Sequence, residues 1–167
     1  MVCSKNLIKN PSFEEVDSKN NLLNWYNPDN VEISPVSHSG SNALHFKSKL
    51  GRFIYVSQQV NVEKGFIYEI CAYVKFLDNI TRRTLGFIIN SYNDTAGFKE
   101  SYSSRSYYRI TEWKKICYKT DAIKKLANNS DPYWFSIYIY PSDNMIEGYI
   151  DDISIERINF RIEIKMF

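Results

Sequence analysis

The 167 residues are enough for one domain, and 44% of them are hydrophobic, so the chain can bury a core while two domains would be cramped. Its 21 basic and 19 acidic residues are scattered and leave a formal charge of +2, which gives no basic stripe for a phosphate backbone and argues against nucleic acid as a partner. Aromatic residues make 16% of the chain, 13 of them tyrosines, a composition that suits strands and recognition surfaces and not disorder.

In chain order, the opening MVCSKNLIKN lacks the apolar run of a secretory signal, and no later stretch approaches the ~20 apolar residues of a membrane helix. Membrane insertion is therefore not expected. Alternating runs of Val, Ile, Tyr and Phe predict strands over Asn6–Lys9, Val31–Val36, Ala43–Ser48, Arg52–Val60, Phe66–Phe76, Thr84–Tyr92, Trp113–Thr120, Tyr133–Tyr140 and Glu147–Glu156, with a further one near Glu100–Tyr108. Turns are signalled by Asn27-Pro28-Asp29, Ser39-Gly40-Ser41, Glu63-Lys64-Gly65 and Pro141-Ser142-Asp143. The one helical candidate is Asp121–Leu126, where a loop with a single turn is an equal alternative. The tail Arg157–Phe167 alternates as a strand does; exposed, it would be a sticky edge, so it covers the sandwich or pairs with another chain in self-association. The pattern is all-β, a sandwich or barrel in one domain, 1–167. Cys3, Cys71 and Cys117 have no metal-ligand spacing; Cys71 and Cys117 are either bridged or, on the plainer reading, free thiols on strands.

The run GYIDDISIE, Gly148–Glu156, places two carboxylates inside a strand. Alternation sets Asp151 on the same face as Ile153 and Ile155, with Asp152 and Ser154 opposite. A carboxylate pointing coreward is costly unless paired, hydrogen-bonded or metal-bound, so Asp151 needs a partner from elsewhere in the chain. The opening NLIKNPSFEE, Asn6–Glu15, is a candidate source, with Leu7 and Phe13 as apolar anchors and Glu14 and Glu15 after the turn.

Taken together and in order, NLIKNPSFEE, SHSGSNALHF, KGFIYEICAYVK, TEWKKICYKT and GYIDDISIE resemble the jelly-roll carbohydrate-binding modules often appended to xylanases and glucanases. The resemblance runs from about Asn6 to Glu156 and leaves the tail outside. It implies a galactose-binding-like β-sandwich that binds polysaccharide or glycan without catalysis, in an extracellular or surface setting. It also implies a structural calcium held by Glu14 and Asp151 with backbone carbonyls near Ser41 and Asn42. Two carboxylates suit the charge and oxygen preference of that ion. Without a metal, the same carboxylates would bond backbone amides or a lysine.

A sugar binder needs exposed rings for the C–H faces of the pyranose and planar polar groups around them. In the resembled family these lie on the outer face of one sheet or along its edge. Tyr73 occupies a position where many relatives carry an aromatic contact. Alternation sends Trp134, Ser136, Tyr138 and Tyr140 outward opposite Tyr133, Phe135, Ile137 and Ile139, and Asn90 and Tyr92 could join the same face. Packing of tyrosines on half-buried strands is the competing role for each ring.

Catalytic inventory is thin. His38 and His45 accompany no nucleophile motif or HExxH spacing, and the Glu14/Glu15 and Asp151/Asp152 pairs fall where the resemblance puts calcium, not in a glycosidase arrangement. A jelly roll used for protein contacts or assembly is the alternative function, and a small polysaccharide-active enzyme a minor one.

Overall fold

A computed structural model describes residues 5–19, 21–26, 31–48, 54–63, 65–77, 83–93, 97–107, 110–123, 133–141 and 146–158. The strands are β1 (Val31–Ser34), β2 (Ala43–Ser48), β3 (Ile54–Val60), β4 (Ile67–Phe76), β5 (Arg83–Asn93), β6 (Gly97–Tyr107), β7 (Lys114–Lys119), β8 (Tyr133–Pro141) and β9 (Ile146–Ile158). They form a five-stranded sheet in the order β1-β2-β9-β4-β7 and a four-stranded sheet in the order β3-β8-β5-β6. Adjacent strands within each are antiparallel. This is the all-β sandwich that alternation predicts, in the jelly-roll form that the resemblance implies.

The two inner faces supply the core. Tyr68, Ile70, Ala72 and Val74 of β4 face Phe135, Ile137 and Ile139 of β8 and Leu85, Phe87 and Ile89 of β5 across one continuous cluster. Phe13 is wholly buried and packs on Trp25, which meets Phe135 edge-on, so the N-terminal turn plugs one end of the core. β1 stops at Ser34 instead of Val36 because Pro35 has no N–H to give the ladder.

Alternation breaks in β9. Cys71 pairs with Ser154 and Tyr73 with Asp151, so Ile153 and Asp152 together oppose Ala72 alone. Asp152 takes up the extra residue in a left-handed conformation (φ 47°). The bulge lets Ile150 point inward before it and Ile153 and Ile155 after it, so Asp151, in register with the outward Tyr73, does not share the face of Ile153 and Ile155 as alternation expects; it lies on the outer side, buried under the turn between β1 and β2.

The expected first strand, Asn6–Lys9, is not a ladder strand. Leu7 N–H bonds Ile155 O at 2.9 Å, but beside it side-chain amides do the pairing. Asn6 Oδ1 accepts from Ile155 N (2.9 Å) while its Nδ2 donates to Ile153 O (3.0 Å). Gln58 does the same for Lys9, accepting from its N (2.8 Å) and donating to its O (2.9 Å). One short segment is thus tied to β9 of one sheet and β3 of the other, and the buried polar Gln58 is fully used. The helical candidate is also overturned over 121–123. Ile123 N–H bonds Phe66 O (3.0 Å) and Gly65 N–H bonds Ile123 O (2.8 Å), so the chain runs extended with Ile123 in the core. Residues 124–126, and the tail from 159 onward, lie outside the described residues.

Cys71 and Cys117 are register partners on β4 and β7 and form a disulfide, which replaces the free-thiol reading. The sequence separation is 46 residues. Closing a loop of that length removes about 4 kcal/mol of unfolded-state freedom in the chain-entropy model, before native strain is subtracted. Replacing both cysteines by serine should therefore lower unfolding free energy by about 2–4 kcal/mol. Equilibrium denaturation would detect that loss, and the same reductant that destabilises the wild type should leave the double variant unchanged.

Candidate functional site

The partner that Asp151 needs is the SHSG turn between β1 and β2. Asp151 Oδ2 accepts from the amides of His38 (2.8 Å) and Ser39 (3.1 Å), and Oδ1 from the amide of Asp152 (2.7 Å). Asp152, turned outward by the bulge, holds the side chains of the same turn. It accepts from Ser39 Oγ (2.7 Å) and Ser12 Oγ (2.7 Å) and sits 2.6 Å from His38 Nδ1. Glu14 Oε1 accepts from the amides of Ser41 (2.8 Å) and Asn42 (2.9 Å). Gly40 has φ 60°, and a methyl there would collide with the Glu14 carboxylate, so the turn is closed over that group. Ile153 N–H bonds Pro11 O (3.0 Å), joining the opening turn to the last strand.

These contacts bear on the calcium that the resemblance implies. Ser41 and Asn42 aim N–H groups, not the expected carbonyl oxygens, at Glu14, and both oxygens of Asp151 are taken by N–H donors. A cation wants oxygen lone pairs on every side. The donor set as arranged is a carboxylate–amide staple and does not fit a cation cage. It follows the amide alternative instead. The same contacts occupy both aspartates, so they are not arranged as a glycosidase acid and base.

Burial pushes the Asp151 carboxyl above its ordinary 3.8, and the amides of Ser39, His38 and Asp152 pull against it without cancelling it. Burial acts on Asp152 as well, but there the bonds from Ser39, His38 and Ser12 together outweigh it and hold the carboxyl below 3.8. On the neighbouring strands His45 lies between Glu32 (2.8 Å) and Glu147 (3.0 Å), and Lys47 caps Glu147 at 2.8 Å. The Lys47 bond is the main reason that Glu147 stays below the usual carboxylate range.

The expected aromatic contacts do not share one face. Tyr73 is on β4 of the five-stranded sheet, and Trp134 and Tyr138 are on β8 of the four-stranded one, each pointing outward, so they occupy opposite sides of the sandwich. Alternation assigns a residue to the inside or outside of its strand; it does not say which sheet the strand joins. The His38 imidazole stacks on Tyr73 at 3.5 Å between ring centroids and 17° between planes. Tyr138 is only 8% exposed and packs over Gly86, where a methyl group would collide with the ring. Asn90 and Thr84 pair in register with Trp134 and Tyr140; the side chains of Thr84, Asn90, Tyr92 and Tyr140 lie outside the described ones.

Around Trp134 the structure assembles residues that pattern alone did not single out. The outer rows of the sheet read Gln59–Trp134 across β3 and β8 and Tyr55–Tyr138–Gly86 across β3, β8 and β5. Tyr26 joins the β3 edge through paired backbone bonds with Ser57, and its ring stacks over Tyr55 at 6.4 Å and 21°. A cleft of about 320 Å³ opens there, lined by Lys9, Asn24, Tyr26, Ser57, Gln59 and Trp134 among others. Tyr26 and Tyr55 are 60% and 42% exposed, unusual for rings of this size. Their signal in the sequence was weak: Tyr26 precedes a turn, and Tyr55 is one alternating residue in a strand.

The staple predicts a specific acid response. Asp152 stabilises the fold fully above pH 3.8 and loses that contribution as pH falls through its lowered folded value. Asp152→Asn should cost about 2 kcal/mol at neutral pH, a typical worth for hydrogen bonds to a charged group. That gap from wild type should close below about pH 3.8 in denaturant unfolding. Asp151→Asn should cost more, about 3 kcal/mol, because an amide cannot accept on both sides at a site with 0% exposure. Chelator should leave the wild-type melting temperature where it is.

No protein-family model matches the sequence, and no curated protein does. Solved structures match over most of the chain. A family 16 carbohydrate-binding module is 19% identical, with a TM-score of 0.64 over 90% of this chain and 99% of its own. TmCBM61, solved with β-1,4-galactotriose, is 19% identical, with a TM-score of 0.60 over 93% of this chain and 100% of its own. The CBM22-1 xylan-binding domain of Paenibacillus barcinonensis Xyn10C is 16% identical, with a TM-score of 0.64 over 95% and 98%. What the chain shares with these carbohydrate-binding modules is the fold, a jelly-roll β-sandwich aligned over 90–95% of this chain.

Proposed function

We propose that the chain binds glycan chains without catalysing their cleavage, along the outer face of the four-stranded sheet. The observation that carries this reading is the cleft beside Trp134, with Tyr26 and Tyr55 uncovered next to it and Gln59 in register with the indole. Rings offer flat apolar surface to the C–H faces of a pyranose, and Gln59, Asn24 and Ser57 offer donors and acceptors to its hydroxyls. Trp134 and the exposed Tyr55 stand four register positions apart on β8 and β3, about 13 Å along the strands, so the face suits an extended chain more than a single sugar. The galactotriose and xylan named for two modules of the same fold support a saccharide as ligand. A cross-strand disulfide suits an oxidising, extracellular setting.

Open faces of this kind bind with dissociation constants of about micromolar to millimolar. Trp134→Ala should weaken binding of xylo- or galacto-oligosaccharides by about tenfold or more, the worth of roughly 1.5–3 kcal/mol of buried aromatic surface. Tyr55→Ala should weaken it less, and both variants should melt as the wild type does. Affinity electrophoresis in polysaccharide gels reads the loss directly; unchanged retardation of Trp134→Ala would overturn this site.

A further inference from the structure

The opposite side of the sandwich carries a second row of rings that the proposed face does not use. His38 stacks on Tyr73, and Trp113 meets His38 edge-on at 5.8 Å and 66°. Trp113 then meets Tyr149 at 6.2 Å, and Tyr149 meets His45 at 5.1 Å. Tyr73, Tyr149 and His45 stand on β4, β9 and β2, His38 in the turn between β1 and β2, and Trp113 just before β7; His38 is exposed and the other four are half-buried. His38 is fixed in it by Asp152, so the row is held in place by the same staple that closes the fold.

Two ammonium groups accompany these rings. Lys75 pairs in register with Tyr149, and Lys115 with Tyr73. Their buried neighbours Val74, Phe76 and Ile116 point inward, which turns both lysines to the outer side. Two other lysines of this sheet are matched: Lys47 lies 2.8 Å from Glu147 and Lys119 lies 3.7 Å from Glu69. Lys75 and Lys115 have no acidic partner among the described residues. Carboxylates stand at both ends of the row: Asp152 holds His38 at one, and Glu32 and Glu147 lie on either side of His45 at the other.

We infer that this face is a second saccharide site and that it takes a carboxylate-bearing, uronate-type glycan. The rings accept the apolar faces of the sugar, and Lys75 and Lys115 meet its carboxylates as mobile point charges. Asp152 at one end and Glu32 and Glu147 at the other repel the same charges and so confine the sugar's carboxylates to the stretch beside Lys75 and Lys115. A row one ring wide is narrower than the patch a stable protein interface buries, which favours a slim polymer as occupant.

The test is run in Trp134→Ala protein, so that its outcome is independent of the first site. Trp25 is buried and its indole donates to Asn10 O at 2.9 Å, which leaves Trp113 as the one solvent-facing indole in that variant. Titration with hexagalacturonate should shift the Trp113 indole N–H resonance, and neutral galactohexaose should not. Replacing Lys75 and Lys115 together by alanine should weaken the response about tenfold, and added salt should weaken it in the unsubstituted background. No shift at millimolar hexagalacturonate, an equal shift with the neutral sugar, or indifference to the lysine substitutions would each overturn the site. So would a concentration-dependent dimer that shifts Trp113 without sugar, because the occupant would then be a second copy of the chain.

Discussion

The buried carboxylate of Asp151 is the constraint on which the rest depends. An ionised group with no access to solvent is tolerated only when its lone pairs are filled, and here three backbone amides fill them. Two of those amides belong to the turn between β1 and β2, so satisfying one side chain of the last strand fixes the path of a loop more than a hundred residues earlier. The bulge at Asp152 is the geometric condition for this arrangement. It allows two successive aspartates to serve one turn, the first through its backbone and the second through its side chains.

The N-terminal segment extends the same economy of polar groups. Asn6 and Gln58 each offer an acceptor and a donor at the spacing of a peptide unit, and each stands in for a missing strand. The segment can therefore bridge the two sheets at the end of the sandwich, where a continuous ladder could belong to only one. Phe13 and Trp25 fill the space beneath it. Closure at this end leaves the outer faces of both sheets free to carry rings.

Much of this was legible from the residues alone. Alternation located the strands, and Tyr68–Lys75 and Tyr133–Ile139 face inward and outward as that pattern requires, because a strand with one buried face has little freedom of register. That Asp151 needs a partner was visible as well, but its side was not: the bulge at Asp152 puts it on the outer side under the turn between β1 and β2, not among the coreward isoleucines. Three things were not legible. Side-chain amides that imitate a strand look like any loop polar residue, so Asn6–Lys9 read as a ladder strand. Sheet membership is a non-local property, so Tyr73 and Trp134 read as one platform although they lie on opposite sides. Pairing of Cys71 with Cys117 needs the register of β4 on β7, which no spacing in the sequence reveals.

The central claim is that the four-stranded sheet presents its Trp134 side to a saccharide. Backbone amide shifts recorded while xylohexaose or galactohexaose is added test it most directly. The account predicts that perturbed amides cluster on β3, β8 and the Asn24–Tyr26 segment. Perturbations confined to other surfaces, or none with either sugar at millimolar concentration, would contradict it.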